Sequence, residues 1–151
     1  MIVKVSQLFF SSGTGTSCIY PLIACKRNPN WTFLATDIDD NAIRYAIDNV
    51  KRNNLQNVIK IIKNPVANTI FPSELISAIT SRPGTLFLVC NPPFYTDTDD
   101  LETRATFKRH KPNNMTMTKD ELGTELGGEV GFIKKMISES VETKSLCESI
   151  K

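Results

Sequence analysis

Residues 86–90, Leu-Phe-Leu-Val-Cys, are a continuous apolar run held between Pro83-Gly84 and Asn91-Pro92. A run of that length without polar alternation reads as a strand covered on both faces, and such strands belong to parallel sheets flanked by helices. Parallel strands need long crossovers, usually helical. The rest of the chain supplies them. Residues 3–10, 31–36 and 58–62 read as three further strands, and Ala42, Ile43, Ala46, Ile47 and Val50 form an apolar stripe at helical spacing behind an N-cap at Asp39. Residues 18–25 read as a helix, and Ser73 is expected to cap a short one reaching Thr80. A last helix over 129–143 carries Phe132, Ile133, Met136, Ile137 and Val141 on its apolar side, and 144–151 reads as an unpatterned tail. Strands alternating with helices predict an α/β fold, a doubly wound parallel sheet, with residues 1–143 as one domain.

Composition narrows the function classes. A chain of 151 residues with a net charge of +2 is too weakly basic to argue nucleic-acid binding from charge alone. Cys18, Cys25, Cys90 and Cys147 form no Cys-x-x-Cys pair, and the lone His110 is near none of them in sequence, so no metal site is expected and reduced thiols in an intracellular protein are. Cys18 and Cys25, seven apart, are expected to pack in the core. No apolar run approaches a membrane span, and residues 1–10 lack a signal-peptide pattern, so no membrane role is expected.

Candidate site residues fall where parallel sheets keep their ligands, at the carboxyl ends of strands. The first strand runs into Ser11-Ser12-Gly13-Thr14-Gly15-Thr16-Ser17, a glycine-rich turn ahead of a helix. Such a turn lets backbone approach a ligand closely and leaves helix N–H groups free to hold it. Asp37 ends the second strand, 22 residues beyond Gly15, where an acid holds the ribose hydroxyls of an adenosine-containing cofactor. Asn64 and Asn68 follow the third strand, in the turn that would border the adenine; most such asparagines only form turns.

Asn91-Pro92-Pro93-Phe94 closes the fourth strand. The prolines lack N–H donors and fix the turn, leaving the Asn91 side-chain oxygen and the Pro92 carbonyl as adjacent acceptors beside the flat face of Phe94. An adenine amine is a poor nucleophile because its lone pair is conjugated into the ring. Two acceptors holding both its hydrogens favour the pyramidal form that attacks a methyl sulfonium, and Phe94 stacking on the base aligns it. The same turn also suits the planar amide of a glutamine side chain, although Phe94 favours a base, and Asn-Pro by itself is an ordinary turn starter. A dinucleotide oxidoreductase fits less well, because the glycine loop lacks a third glycine.

Residues 96–119 read as a long polar loop in which Asp97, Asp99, Asp100 and Glu102 precede Arg104, Lys108, Arg109, His110 and Lys111. The basic half suits the phosphates of a nucleic acid, against the plainer reading of a solvated segment.

Together the segments 13–22, 34–40, 49–55, 90–94 and 125–129 resemble the family of methyltransferase-like protein 16 and its bacterial relatives of the RlmF type, in the same order and spacing from about residue 13 to 141. The resemblance implies a Rossmann-like class I methyltransferase fold, S-adenosyl-L-methionine as cofactor, and adenine-N6 methylation of structured RNA: U6 small nuclear RNA or a messenger hairpin in eukaryotes, ribosomal RNA in bacteria. It implies work in the nucleus or cytoplasm. It further implies that Gly13, Thr14, Gly15 and Ser17 seat the methionine end, Asp37 the ribose and Asn68 the adenine side. Asn91, Pro92, Pro93 and Phe94 then hold the target base, Asn91 also bordering the cofactor, and Arg104, Lys108, Arg109 and Lys111 would meet RNA.

Three departures accompany it. The family's Asp-Ile-Gly-Thr-Gly is Ser11-Ser12-Gly13-Thr14-Gly15 here, so an acid that helps fix the cofactor is replaced by serine; one charge-assisted hydrogen bond is worth roughly 1.5 to 3 kcal/mol. The segment that grips RNA ahead of the first strand and the last strands of the sheet are expected to be missing, leaving an incomplete fold with an open sheet edge. The rival from another class is a catalytically inactive fragment that binds RNA or a partner protein.

Overall fold

The computed structural model describes residues 7–64, 69–81, 86–92 and 128–149. Four strands and four helices are assigned there: β1 (Gln7–Ser12), α1 (Ile19–Arg27), β2 (Trp31–Asp37), α2 (Asp40–Arg52), β3 (Ile59–Lys63), α3 (Ser73–Thr80), β4 (Leu86–Cys90) and α4 (Gly128–Ser149). The strands pair in the order β3-β2-β1-β4, all parallel. After β3 the chain therefore crosses back over β2 and β1 to lay β4 on the far side of β1. This reversal of direction is the switch point at which open α/β sheets keep ligands.

Strand alternation sends β1 residues to two separate cores. Phe9 joins Cys18, Cys25, Phe33, Ala35, Ala46, Val50 and Ile59 under α1 and α2, and its ring lies 4.9 Å from that of Phe33 and 5.2 Å from that of Phe87. Phe10, fully buried, points the other way, into Leu34, Ile70, Phe71 and Leu75, with Phe132 and Met136 of α4 packed against them. Burying one such ring stabilises the fold by about 2 to 3 kcal/mol. The sheet thus carries a core on each face, but β4, expected to be covered on both, is not: it ends the described strand order, its residues are half-buried and Phe87 is exposed.

Local signals agree in most places. Asp39 caps α2, its carboxylate accepting from the Asn41 and Ala42 amides at 3.0 and 3.1 Å. Asn53 and Asn54 end that helix, Asn54 in the left-handed region at φ 57°. Asp40, in the first turn of α2, pairs with Lys63 at 2.7 Å on the surface. Cys18 and Cys25 are core residues, as their spacing predicts.

Other expectations are corrected. Pro72, not Ser73, occupies the cap position of α3, and the Ser73 hydroxyl bonds Glu74 instead. β1 runs on through Ser12, because Ser11 and Ser12 pair with β2 and β4 in register. α4 continues six residues past the end expected at Thr143; residues 144–149 contain neither Gly nor Pro to stop it. Ile137 and Val141, expected on its apolar side, are exposed. Phe132 and Met136 pack inward as expected, and the inner stripe continues through Glu139 and Thr143, where the Glu139 carboxylate accepts two backbone amides.

Candidate functional site

Register fixes what sits at the carboxyl end of the sheet. Ser12 pairs with Thr36 on one side and Cys90 on the other, and Asp37 pairs with Lys63. Gly13, Asp37 and Asn91 therefore leave their strands at one level, with Asn64 one residue further along beside them, from segments spread over nearly 80 residues of chain. Asn91 is exposed there, and Pro92 is half-buried. Pro93, Phe94, Asn68, Arg104, Lys108, Arg109, His110 and Lys111 lie outside the described residues.

The glycine turn has the conformation its composition predicts. Gly13 and Gly15 take φ of 62° and 63°, and no atom lies within 4 Å of where a Cβ would stand on either. Glycine is needed for backbone shape, and the space beside it is open. Thr14 ties the turn down: its amide donates to the Thr36 carbonyl at 2.9 Å, and its hydroxyl donates to Cys18 Sγ at 3.4 Å. α1 then begins behind Cys18, itself left-handed at φ 50°, with no side-chain cap and no acid in the first turn. Uncapped first-turn amides make an anion-seeking helix end.

Asp37 connects this turn to the second strand. Its Oδ2 accepts the Gly15 amide at 2.8 Å, and its Oδ1 accepts the Asp39 amide at 3.1 Å. A carboxylate has about four acceptor positions. Two are engaged, which fixes the group's orientation and leaves capacity for two hydroxyl donors. On the α2 side the Asn49 side chain donates to the Thr16 carbonyl at 3.0 Å, and Thr16, Ser17, Tyr45 and Asn49 line a recess of about 360 Å³. Asn49 and Tyr45 are absent from the sequence-derived set, since their offset from the glycine turn matches no motif.

Ser11 stands where the resemblance expects an acid. It is buried to 1% exposure, paired with Ala35 and Val89, and its Oγ has no hydrogen-bond partner among the described residues. A buried hydroxyl left so is uncommon. The three described cysteines are not nucleophiles at neutral pH: burial raises the thiols of Cys18 and Cys90 above the usual range and pushes Cys25 up to about 11. Among the described residues no group of three His, Cys, Asp or Glu side chains could hold a metal, and no helix is long and apolar enough to cross a membrane. A larger recess, about 670 Å³, is lined by Thr69, Phe71 and Ile76 on one side and by Gly131, Glu139 and Thr143 of α4 on the other.

A glycine turn, an acid at the end of β2 and Asn91-Pro92 after β4 thus stand together at the switch point. A family model described as RNA methyltransferase matches residues 4–147. The chain belongs to this RNA methyltransferase family. It is 37% identical over 136 residues, 89% of its length, to the U6 small nuclear RNA (adenine-(43)-N(6))-methyltransferase of Schizosaccharomyces pombe, and covers 32% of that protein. The chain spans between 23% and 44% of the length of the curated relatives it matches. Among solved structures, the human Mettl16 catalytic domain in complex with MAT2A 3'UTR hairpin 6 superposes with a TM-score of 0.68 at 32% identity, covering 90% of this chain and 45% of that one. The N-terminal domain of human METTL16 in complex with SAH gives 0.56 at 30% identity, covering 93% and 43%. The methyltransferase fold expected from the sequence is thus shared with family members, and the family itself is the one the sequence segments resemble.

Proposed function

We propose that this chain carries the cofactor and catalytic site of an S-adenosyl-L-methionine-dependent enzyme that methylates adenine N6 in structured RNA. The observation that supports it most is the Gly15–Asp37 hydrogen bond, which holds an open, positive-φ glycine turn against an acid at the strand ends beside Asn91. The cofactor, when bound, supplies a methyl group activated by a sulfonium. This chain's residues do the rest by binding and alignment. Asp37 takes the ribose hydroxyls on its unused acceptor positions. Gly13, Thr14, Gly15, Ser17 and the uncapped start of α1 seat the carboxylate end, and Asn68 borders the adenine. The Asn91 side-chain oxygen and the Pro92 carbonyl accept the two hydrogens of the target amine, Pro93 stiffens the turn, and Phe94 stacks on the base. The relatives named for U6 small nuclear RNA and the neighbour holding an RNA hairpin support a structured RNA as substrate, and so an intracellular site of action in nucleus or cytoplasm. Arg104, Lys108, Arg109 and Lys111 are assigned to its phosphates.

Calorimetric titration of the folded chain with S-adenosylhomocysteine tests the cofactor half, with Asp37→Ala as control. Saturable binding that the variant loses is expected. Methylation of a hairpin RNA tests the other half: Asn91→Ala should keep most of the cofactor affinity while kcat falls on the order of 100-fold or more. A folded wild-type chain that fails to bind S-adenosylhomocysteine would overturn the proposal, and methylation of a glutamine-containing peptide in place of RNA would replace its substrate.

A further inference from the structure

Two buried backbone amides at the entry to α3 are served by a side chain nearly 70 residues away. Glu139 of α4 places Oε2 2.8 Å from the amides of both Ile70 and Phe71, while its Oε1 meets Lys135 at 3.2 Å. Ile70 and Phe71 are 3% and 6% exposed, so without Glu139 these donors would be shut away from water. That alone is a structural role. The adjoining bonds give it a direction. The carbonyl of Thr69, next along the chain, accepts from the Asn64 side-chain amide, and the Asn64 backbone amide donates to the Asp37 carbonyl at 2.8 Å. Asp37 in turn holds Gly15. A continuous polar chain therefore runs from α4 through Glu139, residues 69–71 and Asn64 to the acid and glycine turn at the mouth of the sheet. It links the helix that lies beyond the Asn91 turn in sequence to the segment on which the cofactor acid rests.

We infer that Glu139 is a positioning residue for the cofactor site, setting the placement of Asp37 through Asn64 and tying cofactor affinity to the seating of α4. The inference rests on the cofactor reading above. It needs no ligand contact by Glu139 itself. Both amides share one oxygen, so glutamine can keep the two bonds through its carbonyl while losing their charge assistance and the Lys135 pair; alanine keeps neither.

The test is S-adenosylhomocysteine titration of wild type, Asp37→Ala, Glu139→Gln, Glu139→Ala, Asn64→Ala and the Asn64→Ala/Glu139→Ala double variant, with a thermal melt of each. Expected are about fivefold weaker binding for Glu139→Gln and about twentyfold for Glu139→Ala. In the Asn64→Ala background the Glu139→Ala change should add little, because both residues act along one chain. Faster exchange of the Gly15 amide in Glu139→Gln than in wild type is the matching structural signature. A Glu139→Gln variant that melts lower yet binds within twofold of wild type overturns the inference, and so do losses that multiply independently in the double variant. If Glu139→Ala does not fold, the glutamine variant decides. If wild type binds, Asp37→Ala does not and Glu139→Gln is unaffected, only this inference falls; if folded wild type itself fails to bind, the cofactor reading falls and takes this inference with it.

Discussion

Replacing Asp37 by Asn is the sharpest probe of the site, because it preserves shape and removes one acceptor. In the wild type the two carboxylate oxygens each accept a backbone amide, from Gly15 at 2.8 Å and Asp39 at 3.1 Å. Asparagine retains one carbonyl and turns its NH2 toward the other donor. One charge-assisted bond is lost, worth roughly 1.5 to 3 kcal/mol, and the half-buried position lets water take over part of it, so the lower end applies. At about 2 to 4 °C per kcal/mol for a chain of this size, the melting temperature should drop about 3 to 6 °C. The effect on cofactor is separable. S-adenosylhomocysteine at 100 times the wild-type Kd should stabilise wild type by about 2.7 kcal/mol. If losing the ribose acceptor weakens binding about tenfold, the same concentration stabilises the variant by only about 1.4 kcal/mol, and by about 0.4 at a hundredfold. A thermal-shift titration reads both quantities. A variant that melts with wild type and shows the same ligand-dependent shift would refute the assigned role of Asp37.

Gly15→Ala meets no steric obstacle, since nothing lies within 4 Å of the added methyl, but it forces alanine to φ 63°. Denaturant titration should show a loss of about 1 to 2 kcal/mol, and a neutral result would mean the turn relaxes out of that conformation. Burial, with Cys18 adding to it, holds the Cys25 thiol protonated to about 11, whereas in the unfolded chain it ionises near 9. That stabilisation is complete below about pH 9 and is lost as pH rises toward 11, with a slope of about 1.4 kcal/mol per pH unit near pH 10. Urea titrations at pH 8.5 and 10 should show the fall in wild type and a shallower one in Cys25→Val; parallel curves would refute it.

What was legible in the sequence is what depends on neighbours in sequence. Asp39 reads as a cap because its partners are two and three residues on, and Leu86 to Cys90 read as a strand from composition alone, although Phe87 is exposed because no described strand lies beyond β4. Asp37 was found through its distance from Gly15, a spacing fixed by one βαβ unit. Long-range partnerships left no such trace. Nothing in residues 128–149 marks Glu139 as inward-facing, because the groups it serves are backbone amides, which every residue carries. The inner side of α4 is legible only in part: Phe132 and Met136 pack inward as their spacing predicts, while Ile137 and Val141 are exposed and a carboxylate continues the stripe. Asn49 reaches Thr16 across 33 residues, and the Ser11 hydroxyl, without a partner among the described residues, follows only from seeing β1 between its two neighbours.

The strand order also sets a timetable for synthesis. β1 meets β2 over a separation of 24 residues, Gln7 with Trp31, but meets β4 over 78, Leu8 with Leu86. At about 5 to 20 residues per second, the ribosome delivers Asn91 about 3 to 11 s after Asp37. During that interval the glycine turn and its acid can already be joined while the β4 side of β1 waits as an open, apolar strand edge. The nascent chain is therefore most exposed to wrong pairing just before Asn91 arrives. A ligand that clasps the first half on emergence would shorten the period of risk and so act as a folding aid.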